Sequence, residues 1–310
     1  MKPSDKIYVA GHRGLLGSAI VKQLKAKGFT NIICKTSAEL DLRDEKSVSD
    51  FISSERPEYV ILTAAKVGGI QANINSPAEF FYDNIKIQNN VIHHSYKSGV
   101  KKLLFVGSSC IYPKEVENPI KEEYLFTGPL EPTNEAYALA KVSGIKMCQY
   151  YRTQYGVNFI SAIPTNLYGV NDSYDPIKSH LLPALIRKVH QAKKEGEKEI
   201  EIWGSGRPRR EFMLADDCAN ALVFLLQNYN ELEPINVGTG VDHSVMELAQ
   251  KVSQVLEYPV KICNDPSKPD GILRKNIDVT KLEALGWKSN YTLEEGVKIA
   301  YLDFLDRDLG

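Results

Sequence analysis

The stretch KIYVAGHRGLLGSAI, residues 6–20, decides the fold of this chain. Its apolar run Lys6–Ala10 predicts a buried strand, and the helical spacing of the apolar residues behind it predicts a helix. Glycine at 11 permits a tight turn, glycine at 14 lets a pyrophosphate approach the backbone, and glycine at 17 lets helix and strand pack closely. Because the helix N-terminus then faces the phosphates, the stretch predicts a dinucleotide site. The predicted residues are Gly11, His12, Arg13, Gly14, Leu15, Leu16 and Gly17.

The alternation of strand and helix patterns continues through the first half of the chain. Further strands are predicted at Asn31–Lys35, Tyr59–Thr63, Lys102–Gly107 and Asn158–Ile163. Helices are predicted at Leu15–Lys27, Asp44–Ser54, Pro77–Lys97 and Asn134–Tyr155. Apolar, β-branched strands in such an alternation are typical of parallel strands covered on both faces. We therefore expect an α/β fold, a doubly wound parallel sheet of the Rossmann type with right-handed crossovers.

The pattern loosens after about Pro164, because Pro176, Pro183 and Pro208 interrupt it. Short strands are predicted at Ile200–Trp203, Ile235–Val237 and Val260–Ile262, and a helix at Ala215–Leu226. The apolar face of that helix indicates that it packs back on the first domain. We therefore expect residues 1–165 to form the dinucleotide-binding domain, with a returning segment near 212–240. Residues 166–310 are expected to form mainly a smaller mixed α/β lobe that binds the substrate and is interleaved with the first domain.

Composition argues against several classes of protein. A formal net charge of −1 gives the 310-residue chain no overall field that would attract nucleic acid. There is no run of about 18 apolar residues that could span a membrane, and no apolar leader at the start. The five cysteines are scattered without a CxxC pair, which argues against disulfides and a zinc site and fits a reducing compartment. We therefore expect a cytoplasmic protein with no metal and with neither nucleic acid nor membrane as a partner.

The end of the second predicted strand indicates which dinucleotide binds. NAD sites usually carry Asp or Glu there for the ribose 2′-hydroxyl, whereas residues 34–37 (CKTS) contain no acid. The cations of Arg13 and Lys35, with a hydroxyl at Ser37, suit a 2′-phosphate instead. The sequence therefore predicts NADP(H) as the cofactor, with Asp41 and Leu42 placed to meet the adenine.

Three residues form a candidate catalytic group. Tyr137 and Lys141 are four positions apart, which places both on one face of a helix, where the ammonium could lower the pKa of the phenol. Such a phenol can exchange a proton with a carbonyl or an alcohol. Ser108 directly follows the fourth predicted strand, at the sheet edge where doubly wound folds bind ligands. The spacing of Tyr137 and Lys141 alone would also fit a solvent-facing pair, but together with Ser108 it predicts a reductase site.

On these and other segments the chain resembles the GDP-L-fucose synthase family of bifunctional epimerase–reductases, which are extended short-chain dehydrogenases/reductases. The resemblance covers nearly the whole chain. The segments that carry it are GHRGLLG (11–17), AAKVGGIQA (64–72), GSSCIYP (107–113), LEPTNEAYA (130–138), PTNLYG (164–169), SHLLPA (179–184), WGSG (203–206), REF (210–212), NVGTGVD (236–242) and SKPDG (267–271). The glycine turn and the YxxxK spacing recur across the superfamily, whereas AAKVGGI and GSSCIYP are far more specific to this family.

The resemblance implies a substrate, GDP-4-keto-6-deoxy-D-mannose, and an acid–base pair. The ketone acidifies the protons on carbons 3 and 5, so epimerisation needs a base and an acid near those carbons. Cys110, two residues beyond Ser108 in what we expect to be an extended segment, would be the base, and His180 would be the acid. On residue type alone, Cys110 fits a small buried apolar side chain better, and His180 fits a hydrogen-bonded histidine at a helix start.

The same resemblance implies that one site serves both reactions. Tyr137, held near Lys141, would polarise the ketone, stabilise the enolate during epimerisation, and donate a proton as hydride passes from NADPH to carbon 4. The cofactor contacts of the family fall on Val106, Gly107, Ser108, Ser109, Lys141, Pro164, Thr165, Asn166, Leu167 and His180.

Two partners are also implied, a GDP-sugar and a second copy of the chain. The family's GDP contacts fall on Lys188, Trp203, Arg210 and Asp270. Lys188 stands where the family has arginine, so a point charge replaces a bidentate fork, and Ser37 stands where a relative carries a second arginine. In relatives, the helices that correspond to Pro77–Lys97 and Asn134–Tyr155 pair into a four-helix bundle, which implies a homodimer.

Three other functions are compatible with the same fold. A nucleotide-sugar 4,6-dehydratase needs an acid pair after the fourth-strand serine, and Ser109–Ile111 contains none. A 4-epimerase needs tightly held NAD and no carbon-acid chemistry, which Lys35 and Cys110 disfavour. A non-catalytic NADP-binding regulator could dispense with Tyr137 or Lys141, and this chain keeps both.

Overall fold

A computed structural model describes residues 1–175, 179–268 and 270–307. Its main element is a parallel sheet of six strands in the order β2-β1-β3-β4-β5-β9. These strands are β1 (Ile7–Ala10), β2 (Ile32–Ile33), β3 (Tyr59–Leu62), β4 (Lys102–Val106), β5 (Asn158–Pro164) and β9 (Ile235–Val237). The strand order reverses direction between β1 and β3, so the carboxyl ends of these two strands border a crevice, as in other doubly wound sheets.

Helices cover both faces of this sheet. In chain order they are α1 (Leu15–Ala26), α2 (Glu45–Glu55), α3 (Ile70–Asn75), α4 (Pro77–Lys97), α5 (Glu135–Tyr155), α6 (Leu181–Glu195), α7 (Ala215–Asn228), α8 (Val245–Val255), α9 (Thr280–Ala284) and α10 (Leu293–Asp306). Ile7 and Val9 of β1 join one core with α1 and α7, whereas Tyr8 and Ala10 join a second core with α2, α4 and α5. Alternate residues of a strand point to opposite faces, so both faces are buried. The predicted doubly wound α/β fold is confirmed.

A smaller lobe contains the remaining strands. They are β6 (Asn166–Tyr168), β7 (Glu199–Trp203), β8 (Arg209–Leu214), β10 (Asp242–Ser244), β11 (Lys261–Asp265) and β12 (Arg274–Lys275). Strand β8 pairs with β6, β10 and β12, and β7 pairs with β11. Helices α6, α8 and α10 supply its core, with Leu185, Leu248 and Phe304 fully or almost fully buried. Strand β8 ends at Leu214 directly before α7; Met213 packs in the first core of the large sheet, whereas Phe212 and Leu214 pack in the core of the smaller lobe.

The prediction that Pro183 interrupts the regular secondary structure is wrong. Pro183 lies in the first turn of α6, where a backbone N–H has no intrahelical partner, so the missing N–H costs nothing. Helix α6 therefore begins at Leu181 and continues through the proline to Glu195. Pro176 lies outside the described residues.

None of the helices in the described ranges combines the length and the apolar character that a crossing of the bilayer requires.

Candidate active site

A cavity of about 730 Å³ lies along the carboxyl ends of β1, β3, β4 and β5. Most of the residues predicted to bind the cofactor or to react line it together. They are Gly11, Gly14, Leu15, Leu16, Gly17, Lys35, Ser37, Asp41, Leu42, Val106, Gly107, Ser108, Tyr137, Lys141, Pro164, Thr165, Asn166, Leu167 and His180. Residues from the first 42 positions and from position 180 thus meet in one volume, because parallel strands end at the same sheet edge.

The glycine turn has the shape that a pyrophosphate requires. Gly11 adopts φ +94°, a conformation that side chains strongly disfavour. A Cβ at Gly17 would lie 2.0 Å from the carbonyl oxygen of Gly11, so only glycine allows α1 to start this close to β1. The first turn of α1 contains no acidic side chain, and its free N–H groups face the cavity. These features fit a dinucleotide.

Three residues predicted to bind the cofactor lie outside the cavity lining. Arg13 is exposed, His12 buries an Nδ1 atom with no hydrogen-bond partner in the described structure, and Ser109 is buried in a helical turn. Their predicted contacts remain predictions.

Glu39 lies near the residues predicted to bind the 2′-phosphate, although residues 34–37 themselves contain no acid. The Glu39 carboxylate accepts a hydrogen bond from the Thr36 N–H at 2.8 Å. This bond, assisted by the charges of Lys35 and Arg13, holds the pKa of Glu39 below its usual value. Glu39 is therefore anionic and fixed in the turn that follows β2, where it partly offsets the two cations.

The ammonium of Lys141 is hydrogen-bonded to the backbone of β4 and not to the phenol of Tyr137. Its Nζ donates to the Val106 carbonyl oxygen at 2.9 Å and lies 5.8 Å from the centroid of the Tyr137 ring. Burial lowers the pKa of Lys141 to about 8 and raises the pKa of Tyr137 above its usual value. The predicted lowering of the phenol pKa by the ammonium is therefore not seen, because the loss of solvent around Tyr137 raises that pKa.

The prediction that Cys110 lies in an extended segment is wrong, because the residue lies in a 3₁₀ turn. Ser108 caps a 3₁₀ turn at Ser109–Ile111, and its Oγ accepts a hydrogen bond from the Cys110 N–H at 3.4 Å. Cys110 is not among the residues that line the cavity, but its turn packs against α5, the helix of Tyr137 and Lys141, and Cys110 and Tyr137 belong to the same core. Burial raises the pKa of Cys110, and nearby lysines partly oppose that rise.

His180 reaches the same cavity from the smaller lobe. It is the residue that precedes α6, and no side-chain capping bond holds its ring. The loss of solvent on the side that packs against the protein lowers the pKa of its imidazole, although the residue as a whole is exposed.

The four residues implied to bind GDP lie in the smaller lobe, outside the lining of the cavity. Lys188 Nζ donates to the Glu201 carbonyl oxygen at 2.8 Å, and Trp203 is 67% exposed. Asp270 accepts from Ser205 N–H at 2.8 Å and from its hydroxyl at 2.6 Å. The half-buried Arg210 donates from its guanidinium to the Ile272 carbonyl oxygen. Residues 270–272 thus connect the turn after Trp203 to Arg210.

The residues that directly follow β3 form a wall of the cavity and were not predicted as site residues. The residues in this wall are Thr63, Ala64, Ala65, Lys66, Val67 and Gly68. Asn73 fixes the end of this wall, because its Nδ2 donates hydrogen bonds to the carbonyl oxygens of Gly68 and Gly69 at 2.9 and 3.0 Å. The position of AAKVGGI after the third predicted strand was a signal that could have identified these residues.

Comparison with known proteins gives consistent matches. The model of the NAD dependent epimerase/dehydratase family matches residues 7–238. GDP-L-fucose synthase 1 of Arabidopsis thaliana is 54% identical over 298 residues, which cover 96% of this chain and 92% of that protein. A GDP-L-fucose synthetase from Naegleria fowleri, solved bound to NADP, is 32% identical with a TM-score of 0.91, covering 100% of this chain and 95% of that one. A GDP-mannoheptose C4 reductase from Campylobacter jejuni, solved with NADP bound, is 40% identical with a TM-score of 0.91, covering 98% and 99%.

Proposed function

The chain belongs to the NAD dependent epimerase/dehydratase family, and on that premise we propose that it converts GDP-4-keto-6-deoxy-D-mannose to GDP-L-fucose. The reaction comprises epimerisation at carbons 3 and 5 and reduction of the 4-ketone with NADPH. The observation that carries the proposal is a buried thiol, Cys110, in the turn that Ser108 caps and that packs against α5, the helix of Tyr137 and Lys141. A reductase alone needs no such base, whereas an epimerase does.

NADPH, when bound, supplies the hydride that reduces carbon 4. The glycine turn and the N-terminus of α1 would hold the pyrophosphate, and Lys35 and Ser37, which line the same cavity, would bind the 2′-phosphate. Asp41 and Leu42 also line the cavity and would contact the adenine. Lys141, anchored to the Val106 carbonyl oxygen, leaves further N–H bonds free to hold the ribose beside the reacting carbon.

Epimerisation uses the two faces of the sugar ring. The Cys110 thiolate takes the proton from carbon 3 or carbon 5, and the electrons of the broken C–H bond pass into an enolate. Ser108 and Tyr137 donate hydrogen bonds to the enolate oxygen. His180 returns a proton to the opposite face, which inverts the carbon.

Reduction uses the same oxygen site. Tyr137 donates its phenolic proton to the ketone oxygen as carbon 4 becomes a secondary alcohol. The cationic Lys141 behind the ring stabilises the phenolate that remains. Because both steps place negative charge on one oxygen, one set of donors serves both reactions.

The GDP moiety binds in the smaller lobe. Arg210 and Lys188 supply positive charge for the diphosphate, Trp203 offers an exposed apolar face, and Asp270 accepts from N–H or hydroxyl groups. Arg210 and Asp270 are already held by Ile272 and Ser205, so both side chains are oriented before the nucleotide arrives.

The proposal is tested by mixing the protein with NADPH and GDP-4-keto-6-deoxy-D-mannose and identifying the product by NMR. We expect NADPH oxidation and GDP-L-fucose. A product of unchanged manno or talo configuration would instead establish a C4 reductase, a second candidate that the match to the Campylobacter jejuni enzyme favours. If no NADPH is oxidised, the proposed function is wrong, and the remaining candidates are a 4-epimerase, a 4,6-dehydratase and a non-catalytic regulator.

NADPH is expected to be used with higher kcat/KM than NADH. Lys35 lines the cavity and Arg13 lies near it, so both cations favour a 2′-phosphate, although Glu39 reduces their effect. Arg13→Ala should lower the NADPH-to-NADH ratio of kcat/KM by roughly tenfold, the value of one hydrogen bond to a charged group. Lys27→Ala removes an exposed cation at the far end of α1 and should leave the ratio unchanged. Equal efficiency with both cofactors in the wild type would contradict the assignment.

A homodimer is expected through α4 and α5, which pack side by side. Both helices expose large apolar side chains, with Tyr82 and Tyr150 each 61% exposed and Leu139 43% exposed. Tyr150→Glu should therefore convert the dimer to a monomer in sedimentation velocity, because a charge would be buried in the interface. Leu302→Glu on α10 is the control and should leave the dimer intact. A wild-type monomer at micromolar concentration would refute the dimer.

The cytoplasm is the compartment that we propose for this activity. A reducing compartment keeps all five cysteines as thiols, including the reactive Cys110.

A further inference from the structure

A chain of paired charges borders one end of the cavity. Its members Asp41, Arg43, Lys66 and Asp83 all line the cavity. The Arg43 guanidinium donates to the Asp41 carboxylate from Nε at 3.0 Å and from Nη2 at 2.8 Å, and its Nη1 donates to Asp83 at 3.4 Å. Lys66 Nζ donates to the other oxygen of Asp83 at 3.1 Å. Asp83 therefore connects the loop after β2 and the wall after β3 to α4.

The charges of this chain cancel one another. The cations of Arg43 and Lys66 are matched by the carboxylates of Asp41 and Asp83, and Lys66 also donates to Glu79 at 2.6 Å. The chain therefore brings no net positive charge to the cavity. It is poorly suited to bind a phosphate, so the guanidinium that lines the cavity needs a different role.

Arg43 is held by the edges of its guanidinium. Carboxylates from two different elements accept from Nε, Nη2 and Nη1, and these N–H bonds lie in the plane of the group. The side chain is nevertheless 50% exposed, whereas that of Asp83 is only 15% exposed. Because the edges are engaged and the group lines the cavity, Arg43 can offer a ligand the flat face of its guanidinium.

Apolar side chains complete the same end of the cavity. Leu42 and Ala64 line it beside Arg43, and both pack against the second core. Ile87 also lines it and lies one helical turn after Asp83, on the same face of α4. A fixed guanidinium plane next to aliphatic side chains suits a flat aromatic ligand, which gains a cation–π contact and buries its apolar surface.

This end of the cavity lies opposite the reductase group. The strand order β2-β1-β3-β4 places the glycine turn after β1 between residues 41–43, which follow β2, and Ser108, which follows β4. A dinucleotide with its pyrophosphate at the glycine turn and its nicotinamide near Ser108 must therefore extend its adenosine toward β2. We propose that Arg43 binds the adenine of NADP(H) by stacking its guanidinium on the base, and that Asp41 and Asp83 fix the plane for this contact. The inference concerns the cofactor alone and does not depend on the sugar substrate.

The test measures cofactor binding without turnover. The Kd values of NADPH and NADH are obtained by fluorescence titration of the wild type and of Arg43→Ala. We expect both Kd values to rise roughly tenfold, within the range of a stacking contact to a base. The ratio of the two Kd values should stay unchanged, because both cofactors carry the adenine. Arg13→Ala should show the opposite pattern, since it removes a cation predicted to favour the 2′-phosphate.

Two further variants and a fragment of the cofactor locate the effect. Arg43→Lys keeps the positive charge but loses the plane, so it should recover little of the lost affinity. Arg207→Ala removes an exposed arginine outside the cavity lining and should leave both Kd values unchanged. Adenosine 2′,5′-bisphosphate, which lacks the nicotinamide half, should lose as much affinity for Arg43→Ala as NADPH does in isothermal titration calorimetry.

An unchanged Kd for NADPH in folded Arg43→Ala would overturn the inference. A loss confined to NADPH would also overturn it, because Arg43 would then act on the 2′-phosphate. Full recovery of affinity in Arg43→Lys would show that the charge matters and the plane does not. If a melting curve shows that Arg43→Ala does not fold, Arg43→Lys decides the question, and wild-type affinity in that variant would refute stacking.

Discussion

Replacing Cys110 with serine should stop the exchange of the protons at carbons 3 and 5 with solvent. A serine hydroxyl is far less acidic than a thiol and cannot act as the base, yet it is close in size, so the packing of this buried position should survive. We expect the exchange rate, measured by NMR in heavy water, to fall by at least about 10²-fold, the lower value of a positioned general base.

Reduction should persist in the same variant. Tyr137, Lys141 and the cofactor site are unchanged, so Cys110→Ser should slowly reduce the unepimerised ketone to a GDP-6-deoxy sugar of manno or talo configuration. His180→Gln should also impair epimerisation, but through the acid step, so that exchange of one proton could continue. If Cys110→Ser exchanges deuterium as fast as the wild type, Cys110 is a packing residue only. A melting curve separates loss of the base from loss of the fold.

Tyr137→Phe is expected to lower the rate of reduction by roughly 10²–10⁴-fold, the usual contribution of a positioned general acid. The ring of Tyr137 packs edge-on against Phe80 and supports the second core, and phenylalanine preserves both contacts. Loss of the hydroxyl removes the proton that the ketone oxygen needs when carbon 4 accepts hydride. The measurement is single-turnover NADPH oxidation with the keto sugar.

The glycine turn is untouched by this change, so NADPH should bind Tyr137→Phe with nearly wild-type affinity, which a fluorescence titration can check. Tyr137→Phe should also slow deuterium exchange, because the enolate oxygen loses one donor. Reduction at a near wild-type rate would show that another group protonates the ketone and that the Ser–Tyr–Lys assignment is wrong.

Much of the fold was predictable because its signals are local. The strands β1, β3, β4 and β5 are nearly continuous apolar runs, since both of their faces are buried, and each lies within two residues of its predicted bounds. The glycine spacing at 11, 14 and 17 identified the cofactor turn, since the close contact of Gly17 with Gly11 excludes any side chain. The four-residue spacing of Tyr137 and Lys141 was equally readable, because a helix places such residues on one face.

The smaller lobe was less predictable. Several of its strands are not continuous apolar runs, as in β7, where buried and exposed residues alternate, so the strand signal in the sequence is weak. The sequence wrongly predicts that Pro183 interrupts the secondary structure. A proline breaks a helix in its interior but is tolerated in its first turn, so the prediction depends on where the helix starts. The residues implied to bind GDP were named only through the family resemblance, since Lys188, Trp203, Arg210 and Asp270 share no local pattern.

The doubly wound sheet and the dinucleotide turn could be read from the sequence, because each depends on the periodicity or spacing of neighbouring residues, and the same kind of spacing predicted the Ser–Tyr–Lys group. The surroundings of Cys110 could be seen only once the chain was folded. Cys110 lies in a 3₁₀ turn capped by Ser108, and this turn packs against α5, which carries Tyr137 and Lys141 and follows it in sequence by more than twenty residues. Charge interactions depend on distance in space and on the removal of solvent, and the pattern of residues along the chain records neither of these for groups far apart in sequence.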